Sequence, residues 1–320
     1  MPAPLSVGEM FETVVRLIGR TFVRSLMLGA ALLAGPTLLL GFSWSGIADS
    51  LGPILEQSAA DPTATPNLAL LLGSLGIIAV AVTLFIVCTL LMRVAMMRLM
   101  CADMEDETMD WVVAIKDAFS LRTLKLVGAW ILIGLLAIAA LTVPIIGIAA
   151  IDPIVGVFVT LLLFPLGFWL AIRWIFMSQA IVWEDADVLQ SFSRSAYLVD
   201  GFWWRIFGLF ILFSIASQMA LSIILTPVSF IAMGGFMASY FALLVDMGPD
   251  ATPDPAMIQD MISSIGIGMV IFVMLSILLT SIVETAYQVV IYFDTRARKG
   301  EFSQPAPPAE GEALDFNAIS

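Results

Sequence analysis

The sequence predicts an all-α, polytopic membrane protein with six transmembrane helices, arranged as three hairpins with cytoplasmic amphipathic helices. Hydrophobic residues make up 60% of the 320 residues, charged residues make up 12%, and the mean hydropathy is +1.02. This composition is not that of a soluble globular domain. Six apolar runs are each long enough to cross a bilayer as a helix. All 14 lysine and arginine residues fall on one side of the resulting topology.

Residues 1–24 predict an amphipathic helix at the membrane interface that leads into a retained membrane anchor. Ser6 and Glu9 have the spacing of a capping box. Glu12 precedes Arg16 by four residues, which is the favourable order for an ion pair on a helix. A signal peptide would instead carry a short basic region directly before its apolar core.

The six predicted spans define a membrane domain over residues 25–299. They cover residues 25–42, 68–92, 126–151, 154–172, 206–232 and 265–283. Four of the spans contain a proline inside the apolar run, at Pro36, Pro144, Pro165 and Pro227. We expect kinks at these positions, because neighbouring helices can satisfy the freed carbonyl groups.

The connections between the spans differ in length. Residues 43–67 are rich in turn residues and predict little regular structure. Phe236, Tyr240 and Leu244 predict a surface helix after span five, followed by a turn at 247–249. Residues 300–320 are rich in proline, alanine and glutamate and predict a disordered cytoplasmic tail.

The distribution of positive charge predicts the orientation. Lysine and arginine precede span one, follow span six, and lie between spans two and three and between spans four and five. The three opposite connections hold none. Because positive residues stay in the cytoplasm during insertion, we expect both termini to be cytoplasmic. The net charge of −12 argues against nucleic acid as a partner, so membrane lipids are the expected partners.

The stretch 173–208 between spans four and five is the most distinctive part of the chain. Asp187 and Gln190 form an N-cap pair. Apolar residues then recur at helical spacing and predict a short amphipathic helix on the membrane surface; they are Leu189, Phe192, Ala196 and Val199. Five residues form a candidate segment for docking a partner protein at the cytoplasmic face: Glu184, Arg194, Trp203, Trp204 and Arg205.

The sequence predicts neither an enzyme nor a cofactor or metal site. There is no histidine in the chain, which removes histidine-based metalloprotease, Ser-His-Asp and Cys-His sites. A P-loop and a glycine-rich dinucleotide turn are also missing from the sequence. The acidic runs at 103–107 and 184–187 lack the spacing of a calcium loop. We interpret them as solvated acidic faces.

Four polar residues in or beside the spans form a candidate cluster: Arg93, Arg173, Glu284 and Gln218. A charge inside hydrocarbon costs about 2.5–3.5 kcal/mol on insertion scales, so it pairs or reaches the interface. Our hypothesis is that Glu284 pairs with one of the two arginines at the cytoplasmic mouth of the bundle. The alternative is that both arginines extend to lipid headgroups and Glu284 lies outside the core. Gln218 is interpreted as a hydrogen-bonding contact between helices.

The stretch 173–208 also carries a resemblance to a known family. The residues concerned are an arginine that ends a span, the run AIVWE at 180–184, FSRS at 192–195, 198–201 and WRIFG at 204–208. They resemble the membrane domain of some bacterial glycerophosphoryl diester phosphodiesterases, a domain that also occurs alone. The six-span layout extends the resemblance over most of residues 5–299. Because the stand-alone domain occurs in bacterial inner-membrane proteins, the resemblance implies a bacterial inner membrane. It does not imply phosphodiesterase activity, because in that family a separate soluble domain with histidines and a metal supplies the catalysis.

These observations leave two main hypotheses for function. The leading one is a non-catalytic membrane protein that acts as a scaffold or accessory in lipid-related processes. The alternative is a small-solute transporter or channel, which repeated hairpins and kinked helices favour and the scarcity of mid-membrane charge disfavours. An intramembrane enzyme ranks third, since its chemistry would rest on carboxylates alone.

Overall fold

A computed structural model of the protein describes residues 4–60, 69–246 and 255–302. These residues form ten α-helices and no strand. The helices are α1 (Val7–Ala60), α2 (Ala69–Met104), α3 (Trp111–Ala118), α4 (Leu121–Ala137), α5 (Val143–Ile151), α6 (Pro153–Arg173), α7 (Met177–Val182), α8 (Val188–Val199), α9 (Trp203–Asp246) and α10 (Pro255–Arg298). A short π-helix, Ile138–Thr142, joins α4 to α5.

Six helical segments of the described chain are long and apolar enough to cross a bilayer. The predicted all-α, polytopic fold with six spans is therefore confirmed. Because successive spans run in opposite directions, the lysine and arginine residues gather at one end of the molecule, which we call the charged end.

Helix α1 begins at the predicted capping box. The Ser6 amide donates to a Glu9 carboxylate oxygen at 2.7 Å, and the Glu9 amide donates to Ser6 Oγ at 3.4 Å. The helix then runs for 54 residues, whereas about 20 suffice to cross the hydrocarbon layer. It has no break at residue 25, where the predicted interfacial helix ends.

The prediction of little structure after span one was wrong for residues 43–60, which continue α1. Contacts at the end of the molecule opposite the charged end, which we call the far end, hold this extension. Trp44 Nε1 donates to the carbonyl of Ile262 at 2.9 Å, and Ser50 Oγ lies 2.8 Å from Ser74 Oγ. Packing against α2 and α10 thus outweighs the local turn preference of the glycines and Pro53.

The helix after span five is also longer than predicted. Helix α9 continues without a break through Phe236, Tyr240 and Leu244 to Asp246, so the expected surface helix is an extension of the span. The predicted turn at 247–249 lies outside the described residues. At the other end of the chain, Phe302 stacks on Phe293 with ring centres 6.2 Å apart. Residues 300–302 therefore fold onto α10, and the rest of the predicted tail is not described.

The prolines affect the helices unequally. Pro144 opens α5 directly after the π-helix, so the expected irregularity is present there. Pro36, Pro165 and Pro227 lie within continuous helices. A break that was not predicted occurs at Gly266, where φ is −15° and ψ is −133°.

The spans pack as a four-helix bundle with a separate hairpin beside it. Helix α1 packs against α2 and α10, and α9 packs against α10. The middle hairpin, α4–α6, packs mainly on itself and reaches the bundle through α7, α8 and the start of α9. None of its most apolar stretch between Leu121 and Ile151 is buried. The hairpin therefore presents most of its surface to the membrane.

The core lies at the charged end. Met92, Met96 and Met100 of α2, Phe176 before α7, and Tyr292 of α10 are completely buried there. The described spans bury far less of their surface towards the far end. Lipid is as apolar as these side chains, so the outer halves of the spans gain little from packing against one another.

Helix α8 forms where it was predicted, with the Asp187–Gln190 capping box present, and its predicted apolar face is buried only in part, with Val199 2% exposed. Leu189 is 74% exposed, whereas Ser191 and Ser195 are completely buried. Ser195 Oγ donates to the carbonyl of Arg173 at 2.9 Å and accepts from the amide of Phe176 at 3.1 Å. Ser195 thus satisfies backbone groups that the break between α6 and α7 leaves without helical partners. Helix α8 packs against the protein through this face, whereas it was predicted to lie on the membrane surface.

Candidate functional site

A cavity of about 830 Å³ separates the middle hairpin from the four-helix bundle. Its size lies within the range of roughly 300–1,000 Å³ that is usual for ligand sites. Four helices supply its walls: α2, α4, α6 and α10, with residues 174–178 closing it at the charged end. We call it the lateral cavity, because it lies on the flank of the bundle beneath a hairpin that faces lipid.

The deep walls of the lateral cavity are apolar. Helix α4 and the π-helix after it line the cavity from Leu126 to Ala140, a distance of about 21 Å along the helix axis. Leu166 and Leu170 of α6 face the same space. The lining on α4 and α6 contains no charged and no amide side chain. This part of the cavity suits a hydrocarbon chain.

The polar groups of the lateral cavity come from the other walls. They are contributed by α2, α7 and α10 and comprise Arg93, Ser178, Glu284, Thr285 and Gln288. Arg93 Nη2 lies 3.3 Å from Glu284 Oε2, with the two side chains 49% and 28% exposed. Glu284 therefore pairs with Arg93, one of the two arginines proposed from the sequence, and this ion pair connects α2 with α10.

The other two residues of the predicted cluster lie elsewhere. The Arg173 guanidinium sits 5.1 Å from the centre of the Trp169 ring, at the end of α6. This contact is a cation–π interaction, which holds an arginine without a carboxylate. Gln218 is exposed on α9 and does not line the lateral cavity. Of the four predicted residues, the structure brings together Arg93 and Glu284.

A first ion network at the charged end centres on Asp294, whose side chain is 2% exposed. Its carboxylate accepts from the Leu5 amide at 2.7 Å, from Arg298 Nε at 2.9 Å and from Arg205 Nη2 at 3.4 Å. Both arginines also donate to the carbonyl of Leu5, at 2.7 and 3.0 Å. The network therefore fastens the start of the chain to the beginning of α9 and the end of α10.

A second ion network joins α8 to the end of α10. Arg194 donates to Glu184 twice, at 2.7 Å each, and to the two carboxylate oxygens of Glu301 at 2.6 and 2.8 Å. Arg296 Nε donates to Glu301 at 2.8 Å, and the hydroxyl of Tyr292 donates to Glu184. The hydrogen bonds to Glu184 hold the pKa of Arg194 above its ordinary value. Burial acts to raise the pKa of Glu301, but hydrogen bonds from Arg194 and Arg296 bring it below the usual range.

The predicted docking segment is largely engaged within the chain. Glu184 and Arg194 belong to the second network and Arg205 to the first. Trp203 Nε1 donates to the carbonyl of Trp169 at 3.4 Å, whereas Trp204 is 77% exposed. The three charged residues of this segment are thus all paired within the protein, and Trp204 is its most exposed member.

The second network predicts a loss of stability in acid. A carboxylate whose folded-state pKa is lowered stabilises the fold above its unfolded pKa, and this contribution disappears as pH falls through the folded pKa. We expect the thermal unfolding temperature in detergent to be flat between about pH 5 and 7 and to fall below about pH 4. Glu301→Gln should reduce the acid-induced fall, and an unchanged fall in this variant would contradict the assignment.

Sequence reasoning did not identify most of the cavity lining. Leu90, Arg93, Val94 and Met97 recur every three or four residues on α2, but the rest of α2 is equally apolar. Such a helix has no hydrophobic contrast between its protein-facing and its lipid-facing side. The signals available were the charges at Arg93 and Glu284 and the tryptophan at Trp130.

No protein-family model, curated protein or solved structure matches this chain. In the described part of the chain, no group of three or more cysteine, aspartate or glutamate residues is placed to hold a metal ion. The lateral cavity is therefore the feature on which a functional proposal rests.

Proposed function

We propose that the protein is a non-catalytic integral membrane protein that holds a membrane lipid in the lateral cavity and serves a lipid-related process as a scaffold or accessory. The observation that carries the proposal is the combination of a deep apolar wall with one ion pair in the same cavity. A membrane lipid has the same two parts, a hydrocarbon chain and a charged headgroup.

The position of the cavity supports access from the bilayer. The middle hairpin exposes apolar side chains along its length, including Ile131, Leu135, Phe164 and Leu161, at 57–72%. Such surfaces are stable only in contact with lipid or another apolar partner. A lipid that contacts α4 and α6 would therefore lie beside two of the helices that form the cavity walls.

The charge distribution supports an orientation with the charged end in the cytoplasm, and the resemblance to the bacterial family is the reason to propose a bacterial inner membrane. In that orientation the Arg93–Glu284 pair lies in the cytoplasmic leaflet, and both chain termini are cytoplasmic. The resemblance of residues 173–208 to the membrane domain of glycerophosphoryl diester phosphodiesterases adds a lipid-related context. The apolar deep walls favour a lipid over the small polar solute that a transporter or channel would carry.

The proposal predicts that filling the cavity displaces a bound lipid. Ala140 and Ala139 are both exposed and lie in the same π-helix, but Ala140 lines the cavity and Ala139 does not. We expect the wild-type protein to retain lipid in a fixed stoichiometry when native mass spectrometry is performed after delipidation. Ala140→Trp should reduce the retained fraction about tenfold, since a filled site loses most of its chain contacts.

Ala139→Trp is the matched control and should retain lipid as the wild type does, because its indole enters the surrounding bilayer. Equal retention by the two variants would contradict the proposal. A wild-type protein that carries only variable, non-stoichiometric lipid would contradict it as well.

A further inference from the structure

We infer that the lateral cavity selects a phospholipid with a zwitterionic headgroup whose cation is a hydrogen-bonding ammonium, with Glu284 binding the ammonium and Arg93 the phosphate. The inference rests on the proposed function, since it names the class of lipid held at the same site.

The Arg93–Glu284 pair has hydrogen-bonding positions that no described residue uses. Its closest approach is 3.3 Å, longer than the roughly 2.7–2.9 Å of a tight charge-assisted hydrogen bond. Neither side chain makes another ion pair among the described residues. A guanidinium has five N–H donors and a carboxylate has about four acceptor positions, so both groups can bind a ligand while remaining close to each other.

The ion networks at the charged end differ from this pair in the number of partners that each charged residue has. Arg194 makes four hydrogen bonds of 2.6–2.8 Å to two carboxylates, which uses the fork of its guanidinium. Asp294 is almost completely buried by its partners. Both networks are closed, because Arg194 and Asp294 each have several partners. The Arg93–Glu284 pair is a single contact, is about half exposed on the arginine side and faces a cavity.

The charged residues of the cavity lining balance one another. Arg93 and Glu284 contribute one positive and one negative charge, and the remaining polar lining residues, Ser178, Thr285 and Gln288, are neutral. A purely anionic headgroup would place a second negative charge beside Glu284 without a cation to balance it. A zwitterion supplies one charge for each residue of the pair, so no charge is left unpaired in an apolar site.

Glu284 favours a primary ammonium over a quaternary ammonium as the cation of the headgroup. A carboxylate accepts hydrogen bonds, and a primary ammonium donates up to three. A quaternary ammonium has no N–H group and relies on aromatic faces. The two aromatic residues of the lining, Trp130 and Trp174, belong to the middle hairpin and its end, whereas Glu284 lies 3.3 Å from the arginine that would hold the phosphate. The ammonium form is therefore favoured.

The test measures which lipid the protein retains. The full-length protein is delipidated in detergent and incubated with equal amounts of phosphatidylethanolamine, phosphatidylcholine and phosphatidylglycerol. Native mass spectrometry then counts each bound species. We expect the wild type to retain phosphatidylethanolamine about tenfold more than either competitor, the ratio that one charge-assisted hydrogen bond provides.

Glu284→Gln should abolish the preference for phosphatidylethanolamine over the other two lipids while total retention persists through the apolar walls. Phosphatidylglycerol should then bind at least as well as the zwitterions, because Arg93 has lost its carboxylate partner. Glu284→Asp keeps the carboxylate and should keep the order of preference. Glu12→Gln removes an ion-paired glutamate outside the cavity and should behave as wild type. If Glu284→Gln does not fold, the double variant Arg93→Gln with Glu284→Gln leaves no unpaired charge and should show the same loss of preference.

The outcomes separate the inference from the proposed function. Retention of lipid without a headgroup preference, or a preference that survives removal of Glu284, would overturn the inference alone. Failure of the wild type to retain any lipid would overturn the proposed function and the inference with it.

Discussion

Replacing Asp294 with asparagine is expected to lower the free energy of unfolding by about 2–4 kcal/mol. Asp294 is 2% exposed, while its partners Arg205 and Arg298 are 30% and 23% exposed. Asparagine has nearly the same shape but no charge, so both arginines would remain partly buried without a carboxylate. The hydrogen bond that holds the Leu5 amide would also weaken.

Thermal and denaturant unfolding in detergent would measure this effect. Asp200→Asn provides the control, because Asp200 is exposed and its side chain makes no ion pair among the described residues. The control should stay within about 0.5 kcal/mol of the wild type. An Asp294→Asn protein as stable as this control would mean that the network at the start of the chain contributes nothing to stability.

Arg194→Gln is expected to cost about 2–4 kcal/mol, because it leaves Glu184 and Glu301 close together with Arg296 as their remaining cation. The Arg194, Glu184 and Glu301 side chains are 20–24% exposed, so water screens the resulting repulsion only in part. Arg194→Lys keeps the charge but cannot form the planar, bidentate contacts. It should recover less than half of the lost stability.

The pair between Arg16 and Glu12 supplies the comparison for Arg194. It is also an Arg–Glu pair, but its side chains are 57% and 67% exposed. Arg16→Gln should therefore change stability by less than about 0.5 kcal/mol. If the two arginine variants lose equal stability, burial is not what makes the second network strong.

The features that were predicted correctly come from sequence patterns that are compatible with only one local structure. Six long apolar runs have no other stable fold than membrane helices. The capping residues at Ser6 with Glu9 and at Asp187 with Gln190 act within one turn of helix, so they need no knowledge of tertiary structure. The Arg93–Glu284 contact could be proposed because few charged residues lie in the spans, and each must pair with an opposite charge or extend to the membrane interface.

The features that sequence reasoning missed depend on tertiary contacts. The extension of α1 to Ala60 is held by residues distant in sequence, such as Ile262 and Ser74. The burial of Ser191 and Ser195 follows from the break between α6 and α7, which gives Ser195 two backbone partners. The lateral cavity itself results from the packing of one apolar hairpin beside an equally apolar bundle, and hydrophobicity alone does not fix that arrangement.

An electron cryo-microscopy structure of the protein in discs of native bilayer would show directly whether the lateral cavity holds a lipid. We expect elongated density in the cavity, running from the Arg93–Glu284 pair along α4 towards Ala140, with the middle hairpin separated from α2 and α10. A hairpin packed directly against α2 and α10, with no space for a lipid between them, would contradict this expectation.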